Sequence, residues 1–466
     1  MSESTKPRWK DTVGLETIKH IVACSTNFPN GLYSYQLPLI AKILDRDDVL
    51  CITATGDGKS ALFAIPIVVL HKYNTNFHLY PSRLPTRPNP IGIVVTPTKG
   101  LVHQLGRDFG LSVLSYDSDT VASFKRKREN IILEIVNCER WQLVCLDPEH
   151  LTGKDWRTIL ESSKFLSNLV QSTVDEVHLI NEWGRDFRIA FRLIGKFICG
   201  RLPSNASVVG LTATLLPGDP TSSICKSLGF FRGHFTLIHC SNERSNMQLS
   251  IVTASTGFSS NTFPDLLPYL NQNHKTVISY VNPFARIRPY HALLPTDYNQ
   301  ETIQLMETDP DLMVIVSTVA LSFGINISTV IDNLGIDFPT TVETWVQEKG
   351  RAGRNRNTVA HGITFVTKQT ITAAKKVLEN PPINQSQSTS ISRCIGVRHH
   401  NNGGGMDFHR AQLIATENCI SAQQNTIFQN PPLPFSQFDC VNAGQPIFCG
   451  RCCDRTGVSY HFPPSP

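Results

Sequence analysis

The chain lacks the long apolar runs that a membrane protein needs. Its longest nonpolar run, Ala61–Leu70, has ten residues and contains Pro66, whereas a membrane-spanning helix needs about 20. The first ten residues, Met1–Lys10, contain no apolar segment of the kind found in secretory signals. We therefore expect no membrane partner, no secretory signal and a reducing compartment.

A disulfide framework and a strong excess of one charge are also missing. The 13 cysteines are odd in number, which argues against systematic pairing. A formal net charge of +5 over 466 residues permits a polyanionic partner without requiring one. With 41% hydrophobic and 17% charged residues, the composition is that of a globular protein. The length predicts two or three domains, of which we expect two.

Short β-branched runs alternate with helical patterns from Leu32 onwards, which predicts parallel sheets with covering helices. A second, shorter set of this kind begins after Arg244. From about Asn380 the composition shifts to Asn, Gln, Ser, Gly and Pro, which weakens the expectation of ordered structure there. Strands are predicted at Val49–Thr53, Ile91–Thr96, Leu143–Leu146, Ser172–Asp175, Ser207–Thr212, Thr276–Tyr280, Met313–Ser317 and Val330–Asn333.

A Gly-rich segment, Thr53–Ser60 (TATGDGKS), lies between a predicted strand and a predicted helix. In a phosphate-binding loop, backbone N–H groups turn toward a polyphosphate, a lysine reaches its β and γ oxygens, and a serine binds Mg²⁺. The motif therefore predicts a site for ATP and Mg²⁺, with a chance match to a short string as the alternative. The residues assigned to this site are Thr55, Gly56, Asp57, Gly58, Lys59 and Ser60.

The tetrad Asp175–His178 (DEVH) follows another predicted strand. Parallel sheets collect ligand groups at the carboxyl ends of their strands, and adjacent carboxylates there are costly unless they are used. We expect Asp175 to face the Mg²⁺ held by Ser60, and Glu176 to orient or deprotonate the attacking water. A charged turn after a strand is the alternative.

Two arginines, Arg351 and Arg354, are three residues apart and share one face if their segment is helical. They are predicted to act as arginine fingers on the γ-phosphate of ATP. Ordinary surface arginines are the alternative. The basic run Lys125–Arg128 is either a nuclear address, a phosphate contact or, as we favour, a solvated helix face.

The order of these segments resembles that of superfamily 2 helicases, and most closely the RecQ family of DNA helicases, from about Leu32 to Arg356. The resemblance implies two tandem RecA-like domains with ATP between them. It implies that Gln36, in the segment YSYQ, reads adenine, and that Thr96 and Thr318 lie in DNA-contacting motifs. The other matching segments are 94–98, 143–149, 210–214, 317–326 and 347–354.

The segment 179–188 (LINEWGRDFR) is similar to the aromatic-rich loop that distinguishes the RecQ family. The resemblance implies that Trp183 and Phe187 stack on unpaired bases and that Arg188 contacts phosphate. Packing of the two aromatic rings against the core is the alternative. The chain departs from the usual QWGHDF at Glu182 and Arg185.

A second departure lies in the second domain, where only eight residues separate the segments 277–281 and 290–292. The family has a helix and a further strand there, so we expect a shortened domain. Pro283 and Pro289 disfavour a replacement helix.

The C-terminal tail carries a C-x-x-C pair, whose spacing suits two ligands of one zinc ion. RecQ proteins have a four-cysteine zinc module after the helicase core, and this pattern implies the ligands Cys394, Cys440, Cys449 and Cys452. Free thiols in a disordered tail are the alternative, with Cys453 as a substitute ligand.

The resemblance implies an ATP-dependent 3′ to 5′ DNA helicase that uses ATP, Mg²⁺ and a zinc site, acts on single-stranded DNA and duplex junctions, and is nuclear. A helicase-like protein that binds nucleic acid without unwinding it and an RNA helicase of superfamily 2 are the alternatives. The predicted architecture is a lead-in at 1–30, RecA-like domains at 31–240 and 241–375, and a cysteine-containing tail at 376–466.

Overall fold

A computed structural model of the protein shows two compact units. The first comprises Met1–Ile52, Gly58–Thr212 and Pro220–His239, and the second comprises Thr53–Asp57, Ala213–Asp219 and Cys240–Pro466. Within these bounds the structure describes residues 7–26, 28, 31–80, 83–97, 105–106, 108–181, 190–231, 233–258, 264–270, 275–279, 287–291, 294–309, 312, 314–317, 327, 329–380, 406–432 and 435–458.

The first unit contains a seven-stranded parallel sheet with the strand order β3-β4-β2-β5-β6-β1-β7. Its central strands are buried along their whole length, which is why they appear in the sequence as continuous β-branched runs. The strands are β1 (Asp48–Ile52), β2 (Ile91–Val95), β3 (Val113–Tyr116), β4 (Leu143–Leu146), β5 (Leu169–Val174), β6 (Ser207–Thr212) and β7 (Phe235–His239).

The helices of the first unit include one in the segment that the sequence predicted to be a polar lead-in. Trp9 is completely buried there, and its indole Nε1 donates to the carbonyl oxygen of Pro85 at 2.7 Å. Ile18 and Ile21 of the same segment also belong to the core of this unit. The segment is therefore part of the fold. The helices are α1 (Thr12–Ser25), α2 (Gln36–Leu44), α3 (Ala61–Thr75), α4 (Ser118–Arg126), α5 (Ile131–Asn137), α6 (Lys154–Glu161), α7 (Ser163–Asn168), α8 (Ala190–Arg201) and α9 (Asp219–Ser227).

The second unit contains a six-stranded parallel sheet with the strand order β10-β11-β9-β12-β13-β8. Pro289 lies in the edge strand β10, where a missing N–H costs no ladder hydrogen bond on the open side. The residues between β9 and β10 lie outside the described part of the chain. The strands are β8 (Met247–Thr253), β9 (Lys275–Ser279), β10 (Ile287–Tyr290), β11 (Val314–Ser317), β12 (Val330–Ile336) and β13 (Ala360–Val366).

The tail contradicts the expectation of little order beyond Asn380, because residues 406–432 and 435–458 are folded. Three helices form there, and Leu413, Ile414 and Phe428 are buried in one core with Leu249 of β8. Composition failed to predict this order, since a few well-placed apolar residues are enough to anchor short helices on an existing core. The helices of the second unit are α10 (Leu267–Leu270), α11 (Thr296–Thr308), α12 (Val342–Lys349), α13 (Lys368–Glu379), α14 (Phe408–Ala415), α15 (Ile420–Phe428) and α16 (Gly450–Thr456).

Short 3₁₀ turns complete the described secondary structure, at Phe77–Leu79, Pro148–Thr152, Pro264–Leu266 and Phe435–Gln437. None of the helices in the described residues combines the length and apolar character needed to cross a bilayer.

Candidate functional site

The Gly-rich loop lies between β1 and α3, in the strand–loop–helix setting that the sequence predicted. Gly56 and Gly58 have φ angles of +90° and +74°, which residues with a side chain rarely adopt. A Cβ atom on Gly58 would lie only 2.8 Å from Nε2 of Gln36. The backbone of the loop therefore requires glycine at positions 56 and 58. A Gly-rich loop directly before a helix is suited to binding an anion.

Gln36, predicted to read adenine, is buried at the start of α2 with 3% of its surface exposed. Its Nε2 donates to the carbonyl oxygen of Gly58 at 2.9 Å, and its Oε1 accepts from the backbone N–H of Tyr33 at 2.8 Å. In this conformation Gln36 supports the phosphate loop, and its contact with a base stays a prediction.

Tyr33 is a residue that the sequence reasoning did not select. Its ring is 51% exposed, and its Cε2 atom lies 3.5 Å from the position of a Cβ on Gly58. An exposed ring beside the loop offers a flat apolar surface at the site. The sequence signal that could have identified Tyr33 was its position in the segment YSYQ, which ends at Gln36.

The acidic pair Asp175–Glu176 follows β5 directly, as expected. The backbone N–H of Asp175 donates to the carbonyl oxygen of Val95 on β2 at 2.9 Å, and that of Glu176 donates to Oδ1 of Asp175 at 3.0 Å. Glu176 has a φ angle of +50°, in the left-handed region. Non-glycine residues in that region are strained and concentrate at functional sites.

His178 connects the acidic pair to the end of β6. Its Nδ1 lies 2.8 Å from Oγ1 of Thr212 and 3.5 Å from Oε2 of Glu176. Burial lowers the pKa of His178 to about 4, with the charge of Glu176 opposing this shift and that of Lys59 adding to it. The structure therefore brings Lys59, Glu176, His178 and Thr212 into one electrostatic environment within the first unit.

His178 and Thr212 were not among the predicted site residues, although both lie in the motifs that the sequence singled out. The signal was present in the final histidine of DEVH and the first threonine of TAT. Nothing local showed that these two side chains would meet.

The predicted DNA contacts divide into one described residue and four others. Thr96 follows β2 with 3% of its surface exposed, and its backbone N–H donates to the carbonyl oxygen of Leu146 at 3.1 Å. Its side chain therefore offers little surface to a nucleic acid in this conformation. The other four lie outside the described residues and stay predictions, namely Trp183, Phe187, Arg188 and Thr318.

Arg351 and Arg354 follow α12, which ends at Lys349, so they do not share one continuous helix. Arg351 is 6% exposed. Lys349 is buried, and its Nζ donates to Oδ1 of Asn333 at 2.9 Å and to the carbonyl oxygen of Ile363 at 2.8 Å. These bonds attach the end of the helix to β12 and β13. The predicted action of both arginines on phosphate stays a prediction.

The tail contains a buried cluster of four cysteines whose sulfur atoms all lie within 4.8 Å of one another. Three of its members were predicted and Cys419 was not, while Cys394 lies outside the described residues and its role as a ligand stays a prediction. Cys453 is not a member, and its Sγ accepts from Nε2 of Gln248 at 3.3 Å. The cluster consists of Cys419, Cys440, Cys449 and Cys452.

The donor set fits a structural zinc ion. Tetrahedral zinc with Zn–S bonds of about 2.3 Å requires sulfur–sulfur distances of roughly 3.8 Å. The Sγ of Cys419 lies 3.3 Å from that of Cys440 and 3.7 Å from that of Cys449. The backbone N–H of Ile420 donates to Sγ of Cys449 at 3.3 Å. Hydrogen bonds from the neighbouring thiols, Cys419 first, lower the pKa of Cys449, whereas the pKa values of Cys419, Cys440 and Cys452 are raised, as expected for close thiols that compete for one negative charge.

Two family models match the chain. The DEAD/DEAH box helicase model covers residues 33–220, and the helicase conserved C-terminal domain covers residues 266–356. Together with the two parallel-sheet units, they show that the chain contains the two domains of a superfamily 2 helicase. Within that superfamily the chain is RecQ-like, as its relatives show.

Three curated relatives illustrate the resemblance. The ATP-dependent DNA helicase RecQ of Bacillus subtilis is 24% identical over 75% of this chain and 56% of its own length. The mouse bifunctional 3′-5′ exonuclease/ATP-dependent helicase WRN is 26% identical over 72% of this chain and 23% of its own. A putative ATP-dependent RNA helicase R290 of Acanthamoeba polyphaga mimivirus is 27% identical over 69% of this chain and 55% of its own. The chain thus spans about half the length of the first of these relatives and of the viral protein.

Solved helicase structures share the fold. The DUF1998 helicase MrfA bound to DNA and AMPPNP has a TM-score of 0.56 at 16% identity, covering 80% of this chain and 52% of that one. Mss116p bound to single-stranded RNA and AMP-PNP also has a TM-score of 0.56, at 14% identity, covering 98% of this chain and 96% of that one. At such identities the likeness concerns architecture alone.

Proposed function

We propose that the protein is an ATP-dependent DNA helicase of RecQ type that moves 3′ to 5′ along single-stranded DNA and opens duplex junctions. The observation that carries the proposal is the grouping of Lys59, Glu176, His178 and Thr212 in the first unit. A phosphate-binding lysine and a carboxylate that orients water are parts that ATP hydrolysis uses, and here a histidine lies between that carboxylate and the end of the next strand.

In this proposal Lys59 binds the β- and γ-phosphates, while Ser60 and Asp175 hold Mg²⁺. Glu176 accepts the proton of the water whose oxygen attacks the γ-phosphorus, and the bond to the β,γ-bridging oxygen breaks. The predicted role of Arg351 and Arg354, to compensate the charge that develops on the γ-phosphate, is part of the same proposal.

His178 has a different part in the proposal, because it stays neutral near pH 7. Both contacts are made by Nδ1 of the imidazole, so this one atom lies between the carboxylate of Glu176 and the hydroxyl of Thr212. A change at Glu176 on hydrolysis is thereby passed to the end of β6. Thr212 belongs to the motif that the RecQ resemblance links to movement.

The DNA-binding residues in this proposal are Trp183, Phe187 and Arg188. A nuclear location is also part of it and rests on the resemblance. The cysteine cluster is proposed to bind zinc, which would hold α14, α15 and α16 together by joining four points of the chain.

The test is hydrolysis of ATP by purified protein with single-stranded DNA, single-stranded RNA or neither. We expect DNA to stimulate hydrolysis, and Lys59→Ala and Glu176→Gln each to reduce it at least about a hundredfold. The exposed residues Lys19 and Glu161 provide charge-matched controls, as Lys19→Ala and Glu161→Gln. Equal hydrolysis in wild type and both site variants would contradict the proposal.

An RNA helicase is the second candidate, because the mimivirus relative is named as one. Unwinding of matched DNA and RNA duplexes that carry 3′ or 5′ overhangs distinguishes the two functions and the direction of movement. We expect unwinding of DNA with a 3′ overhang. ATP binding without turnover on either nucleic acid would instead identify a helicase-like binding protein.

A further inference from the structure

One buried amide holds the loop between α12 and β13, which carries Arg354. Asn246 lies directly before β8 and is 7% exposed. Its Nδ2 donates to the carbonyl oxygens of Gly353 at 2.9 Å, Thr358 at 2.9 Å and Asn355 at 3.3 Å. The main-chain carbonyl oxygen of Asn246 accepts from the backbone N–H of Ala360, at the start of β13, at 2.9 Å. A single side chain therefore anchors the loop between α12 and β13 at three points.

The sheet also holds this loop, since the backbone N–H of Gly353 donates to the carbonyl oxygen of Val330 on β12 at 2.9 Å. Residues 355–357 of the loop are exposed, whereas Gly353 is buried with a φ angle of +60°. A Cβ on Gly353 would lie 3.1 Å from Nδ2 of Asn246 and 2.4 Å from Cβ of Ala360. This close approach explains why glycine is needed at the point where the amide reaches the loop.

Arg244 adds a second anchor at the same point. Its Nη2 donates to the carbonyl oxygen of Gly353, and its Nε donates to Oδ1 of Asn246 at 3.3 Å. Arg244 thus orients the amide of Asn246, so that the Nδ2 donor faces the loop carbonyls and the oxygen faces the guanidinium.

We propose that Asn246 is a positioning residue for ATP hydrolysis, which holds the loop carrying Arg354, next to Arg351, in its active geometry. This inference rests on the proposed function, in which those arginines act on the γ-phosphate. The contribution of an arginine to phosphoryl transfer depends on its placement, and a displacement of about 1 Å can cost on the order of a hundredfold in rate. Asn246 is 107 residues away from Gly353 in the chain, so only the fold connects them.

The first test is Asn246→Asp, which keeps the size of the side chain and replaces the donor by a carboxylate facing three carbonyl oxygens. We expect kcat for DNA-stimulated hydrolysis to fall about a hundredfold, while the Kd of a fluorescent ATP analogue changes by less than about threefold, because the phosphate loop is intact. Asn299→Asp is the matched control, since Nδ2 of Asn299 also donates to two backbone carbonyls, of His291 and Leu294, neither of which belongs to the loop between α12 and β13.

A double-mutant cycle with Arg354→Ala separates positioning from general stabilisation. If Asn246 acts through the loop, Asn246→Asp lowers kcat little further in the Arg354→Ala protein than in that variant alone. Independent, multiplicative losses would overturn the inference. An unchanged kcat in Asn246→Asp, with the wild type active, would overturn it while leaving the proposed function in place.

Asn246→Ser provides a second variant in case the aspartate prevents folding, and circular dichroism monitors both. If neither folds at the assay temperature, Asn246 is a requirement for folding and the positioning role is overturned. A wild-type protein that does not hydrolyse ATP with DNA or RNA would overturn the proposed function and the inference with it.

Discussion

Replacement of Cys419 by serine should release the metal from the cysteine cluster and loosen the tail. Structural zinc sites contribute apparent binding free energies of about 10–16 kcal/mol, so one of four equivalent thiolates carries on the order of 3 kcal/mol. This corresponds to roughly a hundredfold weaker zinc binding. The serine hydroxyl is a much poorer ligand than a thiolate, whereas it can still accept from the backbone N–H of Ala422, which donates to Sγ of Cys419 at 3.4 Å, so the cap of α15 is kept and the metal ligand is lost. The thermal midpoint should fall, since Phe428 and Leu413 of the same module are buried in the second core.

The assay is elemental analysis of purified protein after dialysis against a chelator of moderate affinity. We expect one zinc ion per chain in the wild type and in Cys394→Ser and Cys453→Ser, and a large loss in Cys419→Ser. The Cys394 variant is the decisive control, because the resemblance to RecQ proteins implied Cys394 and the three-dimensional cluster contains Cys419. Retention of zinc in Cys419→Ser with loss in Cys394→Ser would refute the assignment, as would a wild type that binds none.

Three further changes test the first unit. The folded pKa of His178, about 4, lies below its ordinary value of 6.5, so the unfolded state binds the extra proton between these values and stability falls as the pH drops through them. We expect the free energy of unfolding of the wild type, measured with urea, to fall by on the order of 3 kcal/mol more than that of His178→Asn between pH 7 and pH 4. If the free energies of the two proteins changed in parallel with pH, this prediction would be wrong. Trp9→Ala should cost about 3–5 kcal/mol in the same measurement because the indole is fully buried. Phe77→Ala, at a ring that is 60% exposed, should cost little, and equal losses would disprove the role of the N-terminal segment. Gly58→Ala should weaken ATP binding at least about tenfold, since its Cβ would lie 2.8 Å from an amide nitrogen. Gly110→Ala, with a φ angle of +65° and nothing within 4 Å, should leave affinity unchanged, and similar affinities in both variants would argue against the loop assignment.

Local motifs were sufficient to predict the architecture and the setting of the phosphate loop. Thr53–Ser60 and Asp175–His178 are each contiguous and follow a buried strand, and strand ends in a parallel sheet meet at one edge. The chemistry of each motif therefore indicated its place in the fold. The tandem parallel-sheet domains expected from the alternation of strands and helices were confirmed.

Several strands escaped prediction for identifiable physical reasons. β3 and β7 are edge strands with partly exposed side chains, so their hydrophobic pattern is weak. β13 is buried yet contains His361, whose Nδ1 lies 2.7 Å from Oδ1 of Asp332 on β12. β8 likewise buries Gln248, which donates to the tail. Partners in neighbouring elements satisfy these polar groups, and a pattern search along the chain does not include them.

The amino-acid sequence was enough to predict the two helicase domains, the strand–loop–helix setting of the Gly-rich loop and three of the four clustered cysteines, because each of these depends on local sequence patterns. Three features depend instead on residues that are 21 to 107 positions apart. They are the membership of Cys419 in the cluster, the contact of His178 with Thr212, and the hydrogen bonds of Asn246 to the loop between α12 and β13. Such pairs leave no periodic or spacing signal in one sequence, since packing of the sheets and the tail alone brings them within bonding distance.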